Sequence, residues 1–306
     1  MPSIIITALE ASRRHSRARR RGAVCALVGL LLVCCPSGAA VAEPFINQFE
    51  LKTLESHPGR FEFQSQNAWS WGHPARRIEG DAANGFLVDE NSIIRERYAL
   101  EIEAGFTQLL KARVGVELER ELLDTPATAA QANDFGELEL SDVGAELIAI
   151  LIPREEDGAG VGVVAELEGP VDQEDPNHLT LGAIVEYRSG PWFAAAVPML
   201  VRAFGGDTDE RSKRDNKWDF SYALQLEYEF SAHWSLAAEG YGTVDRLGES
   251  GQRSEAAQRF GDFDQHRAGP VLYYTHASVA IGVGLLEGLN DNTPDHTLKL
   301  SIEIQF

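Results

Sequence analysis

Glutamates recur at every second position in several stretches of this 306-residue chain. Glu101 and Glu103, Glu117 and Glu119, and Glu227 and Glu229 form three such pairs, and Glu166, Glu186, Glu239 and Glu303 stand in similar alternating settings. Residues two apart on a strand share a face, so each pair sets two carboxylates side by side. Carboxylates on the inner wall of a channel raise the local cation concentration and select for cations. A smaller basic set falls on the same faces: Arg95, Arg97, Arg113, Arg188, Arg202, Arg267 and Lys299. Two outcomes follow. Acids left unpaired line a lumen that favours cations or neutral solutes; acids paired with bases across the interior fill it and close it. Running the strands in alternating directions brings Glu101, Glu103, Glu227, Glu229 and Glu303 to one end, where Arg113 and Arg188 are the bases expected to meet them. An acidic vestibule is the expectation there.

Other chemistry is thinner. His276 and Ser278 have a spacing that puts both on one face of a strand, but a lone pair is weak ground for nucleophilic catalysis. The pair also falls in a predicted turn, so no catalytic residue is assigned. Asp172, Glu174 and Asp175 crowd one loop, and Asp291 and Asp295 another. Loop carboxylates can share divalent cations with lipopolysaccharide phosphates, yet solvated loop charge is the better account of them. His178, His233, His266 and His296 lack metal-ligand spacing, and no Gly-rich nucleotide loop stands between a strand and a helix. No metal or cofactor is expected. Arg211, Lys213 and Arg214 lie in the mixed-sign run 207–217 and are candidates to meet lipopolysaccharide phosphates.

The elements that must position these residues begin after an export segment. Arg13, Arg14, Arg17, Arg19, Arg20 and Arg21 precede an apolar run from Gly22 to Cys35, then Pro36-Ser37-Gly38 and Ala40-Val41-Ala42. Basic, apolar and small residues in that order mark a secretory signal peptide, with cleavage after Ala42; the run is too short for a spanning helix. All three cysteines lie in it, which leaves 43–306 without disulfides or thiol chemistry. Without the leader the chain carries 21 basic and 46 acidic residues, a net charge near −25. That surface suits no nucleic acid. No later segment is apolar for long enough to be a membrane helix, so a membrane protein of this composition must be a barrel, which hides charge on its inner face.

Period-two alternation supports the barrel. Phe220, Tyr222, Leu224, Leu226, Tyr228 and Phe230 fall on one face, and Asp219, Ser221, Ala223, Gln225, Glu227 and Glu229 on the other. A strand separates these sets; a helix scatters them. Leu298, Leu300, Ile302, Ile304 and Phe306 repeat the pattern against Lys299, Ser301, Glu303 and Gln305. Twelve strands are expected, near 59–71, 93–106, 111–121, 137–151, 160–168, 178–188, 192–204, 218–230, 234–243, 264–274, 278–288 and 296–306. In 137–151 the alternation slips at Ser141-Asp142, where a bulge is expected. Links alternate short and long, as in an all-β, antiparallel up-and-down transmembrane barrel with short periplasmic turns and longer external loops. The domain reading is signal peptide 1–42, periplasmic N-terminal segment 43–58 and barrel 59–306. Residues 43–58 are open to three roles: a tail, a short plug or an extra edge segment. Aromatics near strand ends, such as Trp69, Tyr98, Trp218, Trp234 and Tyr274, suit interfacial girdles. A soluble β-sandwich or lipocalin-like barrel also alternates, but turns its apolar face inward.

The C-terminal portion carries a resemblance. It reads Gly269-Pro270-Val271-Leu272-Tyr273-Tyr274, Gly282-Val283-Gly284-Leu285-Leu286-Glu287-Gly288-Leu289, then Thr293-Pro294-Asp295-His296-Thr297-Leu298-Lys299, ending at Phe306. Asp134-Phe135-Gly136-Glu137-Leu138 is similar in style. These stretches resemble the outer-membrane proteins grouped as phenol meta-cleavage-pathway transporters, chiefly over the last 40 or so residues. The resemblance implies a barrel and a pore, often for hydrophobic or aromatic compounds. A terminal aromatic such as Phe306 also resembles the signal by which the barrel assembly machinery recognises its clients. The His-x-Ser spacing at 276–278 resembles that of the outer-membrane phospholipase, but Val279 stands where that family has Asn. The expected function is therefore passive passage of small solutes across the outer membrane. The expected partners are outer-membrane lipid, lipopolysaccharide, the assembly machinery and a small solute. The alternatives are a non-conducting structural or adhesive barrel, or a lipid hydrolase.

Overall fold

The computed structural model describes residues 49–72, 93–121, 136–171, 176–205, 218–244, 247, 265–290 and 293–306. The export segment 1–42, Asp134 and Phe135, and the loop candidates Asp172, Glu174, Asp175, Arg211, Lys213, Arg214 and Asp291 lie outside the described residues.

The alternating stretches form twelve antiparallel strands: β1 (Phe61–Trp71), β2 (Ile93–Thr107), β3 (Leu110–Glu121), β4 (Glu139–Ile152), β5 (Gly158–Pro170), β6 (Asn177–Ser189), β7 (Trp192–Phe204), β8 (Asp219–Glu229), β9 (Trp234–Val244), β10 (Gln265–His276), β11 (Val279–Gly288) and β12 (His296–Gln305). Each pairs with its neighbours in sequence, and β12 pairs with β1 to close the barrel. The closing register sets Phe63 opposite Ile304 and Trp69 opposite Leu298. Past the last strand, the Phe306 N–H donates to the Phe61 carbonyl at 3.0 Å and the Phe61 N–H returns a bond at 3.1 Å. Closure leaves no edge, so all ladder groups in the wall can be satisfied where no water reaches them.

Two irregularities have sequence causes. Glu117 pairs with Asp142 but Leu118 with Leu140, so Ser141 is the extra residue of a bulge where the alternation slips. Pro198 and Pro270 sit inside β7 and β10 without an N–H to donate. The ladders pass over them: β6–β7 pairing runs from Gly182–Met199 to Val185–Ala196, and β10–β11 pairing from Ala268–Glu287 to Val271–Gly284.

Which face looks out settles the soluble alternative. Leu100, Ile102, Leu147, Val163, Leu167, Leu181, Val185, Leu200, Leu224, Leu226, Leu236, Leu272, Val283 and Leu285 are all exposed on the outer wall. Full burial of such a side chain is worth about 1.5–3 kcal/mol each, so a continuous belt of them is a surface for lipid. Aromatic pairs bound the belt. Trp192 lies 4.8 Å from Tyr228, and Trp234 4.8 Å from Tyr274, at the short-turn end; Trp69 meets Tyr98 edge-on at 5.9 Å at the other. No helix among the described residues is long and apolar enough to cross a membrane, and the barrel crosses with strands. The protein is thus inverted relative to a lipocalin-like barrel, with its charges inside.

Candidate functional site: the lumen

The alternate positions of every strand point inward, and the acids of the sequence pattern meet there. Arg113 of β3 is the first hub. Its guanidinium donates to Glu103 at 3.0 Å, to Glu101 at 3.3 Å and to Glu50, all of them buried. Lys111 adds a second cation 2.9 Å from Glu103. Toward the external end, Glu119 pairs with Arg95 at 2.9 Å and with Arg97 at 2.8 Å. Glu186 of β6 pairs with Arg154 at 2.8 Å, and Glu229 of β8 with Arg188.

Glu239 of β9 is the second hub. It accepts from Lys299 Nζ at 2.7 Å, from Gln225 Nε2 at 3.2 Å and from the hydroxyls of Tyr241 and Tyr273. Lys299 also donates to the Tyr241 hydroxyl at 2.7 Å. Beside this group, Arg267 donates to Gln265 at 2.6 Å and Thr297 at 3.2 Å, and its guanidinium lies 4.9 Å from the Phe49 ring centre. The Phe49 ring stands 5.9 Å from that of Tyr241.

Phe49 belongs to the segment before β1. That segment enters at the short-turn end, where the Gly59 N–H donates to the Gly105 carbonyl at 2.8 Å. From there it runs up the inside of the wall. The Leu54 N–H donates to Glu186 at 2.7 Å. Lys52 is 1 % exposed and places its ammonium among Glu146, Glu166 at 3.2 Å and Glu50 at 3.7 Å. Burial opposes the charge on Lys52, but these three carboxylates hold its ammonium well above the usual lysine range. Burial likewise pushes Glu50 up, but Arg113 and Lys52 outweigh it and keep its carboxyl below the usual value.

One sector of the inner wall is apolar. Ile148, Val164, Ile184, Val197, Met199, Ala223, Ala237, Val271 and Leu286 are buried in a cluster with Phe49, Leu54 and Tyr241. Gly160 and Gly162 make the notch for Leu54: a Cβ on either would lie within 2.7 Å of a Leu54 methyl carbon. The free space lies on the opposite side. A cavity of about 430 Å³ at the short-turn end is bordered by Leu51 and Thr53 on one side and by Glu227, Glu229, Tyr273, Lys299 and Glu303 on the other.

The structure brings Glu101, Glu103 and Arg113 together, joins Glu119 to Arg95 and Arg97, and joins Glu239 to Lys299. Glu117 and Glu166 line a small cavity between β2 and β5. Arg202 lies over the Trp218 ring at 5.7 Å. His276 and Ser278 diverge: the His276 ring stacks on Tyr274 and meets His233 edge-on in the outer group, while Ser278 borders the inner cavity. Phe306 is exposed and stacks on Phe61 at 6.4 Å. Sequence reasoning missed Glu50, Lys52, Lys111, Glu146, Arg154 and Glu168. The alternation of Glu50 and Lys52 against Phe49 and Leu51 was the available signal, since period two marks chain that lies along a wall.

Neither a family model nor a curated protein matches the sequence. Among solved structures, an outer-membrane channel from Pseudomonas putida F1 aligns over 84% of this chain and 100% of its own, with TM-score 0.60 and 14% identity. The fold is that of a twelve-stranded outer-membrane barrel. The NanC porin aligns over 80% of this chain and 98% of its own (TM-score 0.49, 8% identity), and the KdgM porin over 80% and 99% (TM-score 0.47, 8% identity).

Proposed function

We propose that this barrel is a passive outer-membrane channel for small solutes whose lumen is closed, in this state, by residues 49–57 of its own chain. The observation that carries the reading is Lys52. A lysine 1 % exposed, held by carboxylates from β4 and β5, ties a non-strand segment to the inner wall. Such a contact is specific and reversible, because each carboxylate it leaves can be rehydrated in an open lumen. The cavity beside the segment supports a path along the β8–β12 side. Its Glu227 and Glu303, beyond the Glu229–Arg188 pair, favour cations or neutral solutes over anions, and the apolar sector favours solutes with a hydrophobic part. The external face meets lipopolysaccharide, and Phe306 serves the assembly machinery. The non-conducting alternative draws on the same ion pairs, since Arg113, Lys52 and Lys299 each tie several elements together. Planar-bilayer recording of the purified full chain separates the two: brief openings support the channel, and an unbroken baseline supports the closed barrel.

A further inference from the structure

Beyond closing the lumen, Lys52 and Leu54 together show what their seat on the wall is built to hold. Glu146 and Glu166 face each other across the β4–β5 ladder and are 5 % and 4 % exposed. Two buried carboxylates without a cation cost several kcal/mol to desolvate, so anything that covers this part of the wall has to bring a positive charge to it. The Lys52 ammonium supplies it. Toward the short-turn end, the next inward positions on the same strands are Ile148 and Val164, which pack with Leu54, Ile184 and Val197. Gly160 and Gly162 give that floor its depth. The seat is therefore a charged head pocket joined to an apolar trough.

The head pocket is also undersatisfied. Glu146 Oε1 accepts no hydrogen bond and has Arg113 at 3.8 Å. Glu168 Oε2 is buried without a hydrogen-bond partner and borders a cavity of about 10 Å³ together with Glu146 and Glu166. An ammonium has three donors, and that of Lys52 hydrogen-bonds to Glu146 and Glu166. Buried acceptors left over beside it mark room for a donor set that a freely placed amine would use more fully.

We infer that the Glu146–Glu166 pocket and the Ile148–Val164 trough form a binding site for a primary alkylammonium solute, occupied here by Lys52 and Leu54 as an internal stand-in. This rests on the channel reading above and adds to it the substrate class and the trigger. A solute amine entering the seat displaces the segment that closes the lumen, because both compete for the same two carboxylates.

The probe is n-hexylammonium, with hexan-1-ol as its uncharged counterpart. The protein is the full chain carrying Lys52→Met, which takes the ammonium out of the head pocket, and its folding is checked by heat-modifiable migration on a gel. Calorimetry is expected to give saturable binding of hexylammonium, weakened about tenfold or more for hexan-1-ol and in K52M/E146Q/E166Q, as loss of a charge-assisted hydrogen bond entails. Equal binding of the alcohol, or undiminished binding by the triple variant, overturns the inference. Should K52M not fold, the wild-type chain in a planar bilayer decides: hexylammonium on the periplasmic side raises the open fraction and hexan-1-ol does not. No difference between them overturns the inference. Amine binding without conductance in any variant removes the channel reading and leaves the site; conductance without amine binding does the reverse.

Discussion

Replacing Lys52 by Met removes one charge and keeps the stem that fills the lumen. In the folded chain the ammonium serves Glu146, Glu166 and Glu50 at once. Taking one partner from a buried ion pair costs about 3–5 kcal/mol, because the other is left buried and uncompensated. Here that cost falls only on the closed state. Once the segment leaves, Glu146 and Glu166 face a water-filled lumen and recover hydration. The closed state therefore loses most of its advantage, and the lower end of the range already shifts the equilibrium about 10²-fold, at 1.4 kcal/mol per factor of ten. Single-channel recording should show the open fraction of K52M rising by about that factor over the wild type. Lys52→Arg, which keeps the charge, should stay near wild type. An unchanged open fraction in K52M refutes the reasoning, as does an Arg variant that opens like the Met variant; a heat-modifiable band confirms that both barrels are folded.

Four more outcomes follow. Gly162→Ala puts a Cβ 2.5 Å from a Leu54 methyl carbon and 3.1 Å from the Ala149 carbonyl oxygen, so conductance should rise as the segment is pushed off, with a small fall in the barrel's thermal midpoint. Arg113→Met strips Glu50, Glu101 and Glu103 of their shared cation and should cost about 3–5 kcal/mol, seen as a heat-modifiable band lost at lower temperature. Phe306→Ala keeps both backbone bonds to Phe61 and removes a ring pair worth about 0.5–1.5 kcal/mol; refolded barrel should stay near wild type, while the amount assembled in the outer membrane of cells falls sharply. Reversal potentials in a salt gradient should show cation preference in K52M, reduced in K52M/E227Q/E303Q; anion preference would contradict the acidic cavity.

The wall was legible because lipid and lumen impose opposite demands on alternate residues. Residues 219–230 and 296–306 carry that demand with little interruption, and β8 and β12 lie there. Even the slip at Ser141 had a local cause that the sequence displayed. Long-range pairing was not legible. Lys52 meets Glu146 and Glu166 across 94 and 114 residues, and such contacts depend on the stagger of the closed barrel and on the path of a segment outside it. The apolar inner sector was half visible. Glu146 to Ile152 reads ELIAILI, apolar on both faces, as a strand covered on both sides must be. That feature signalled an interior lined by something other than charge. His276 and Ser278 show the opposite error: the spacing is right for a shared face, but a turn with Ala277 at φ 53° parts them.

The central claim is that an open lumen lies behind the chain's own N-terminal segment. Single-channel recording of the barrel without residues 43–57, beside the full chain under the same salt and voltage, tests it most directly. The account predicts a long-lived open channel in the truncated barrel and brief openings in the full chain. A truncated barrel that folds, inserts and carries no current would contradict it.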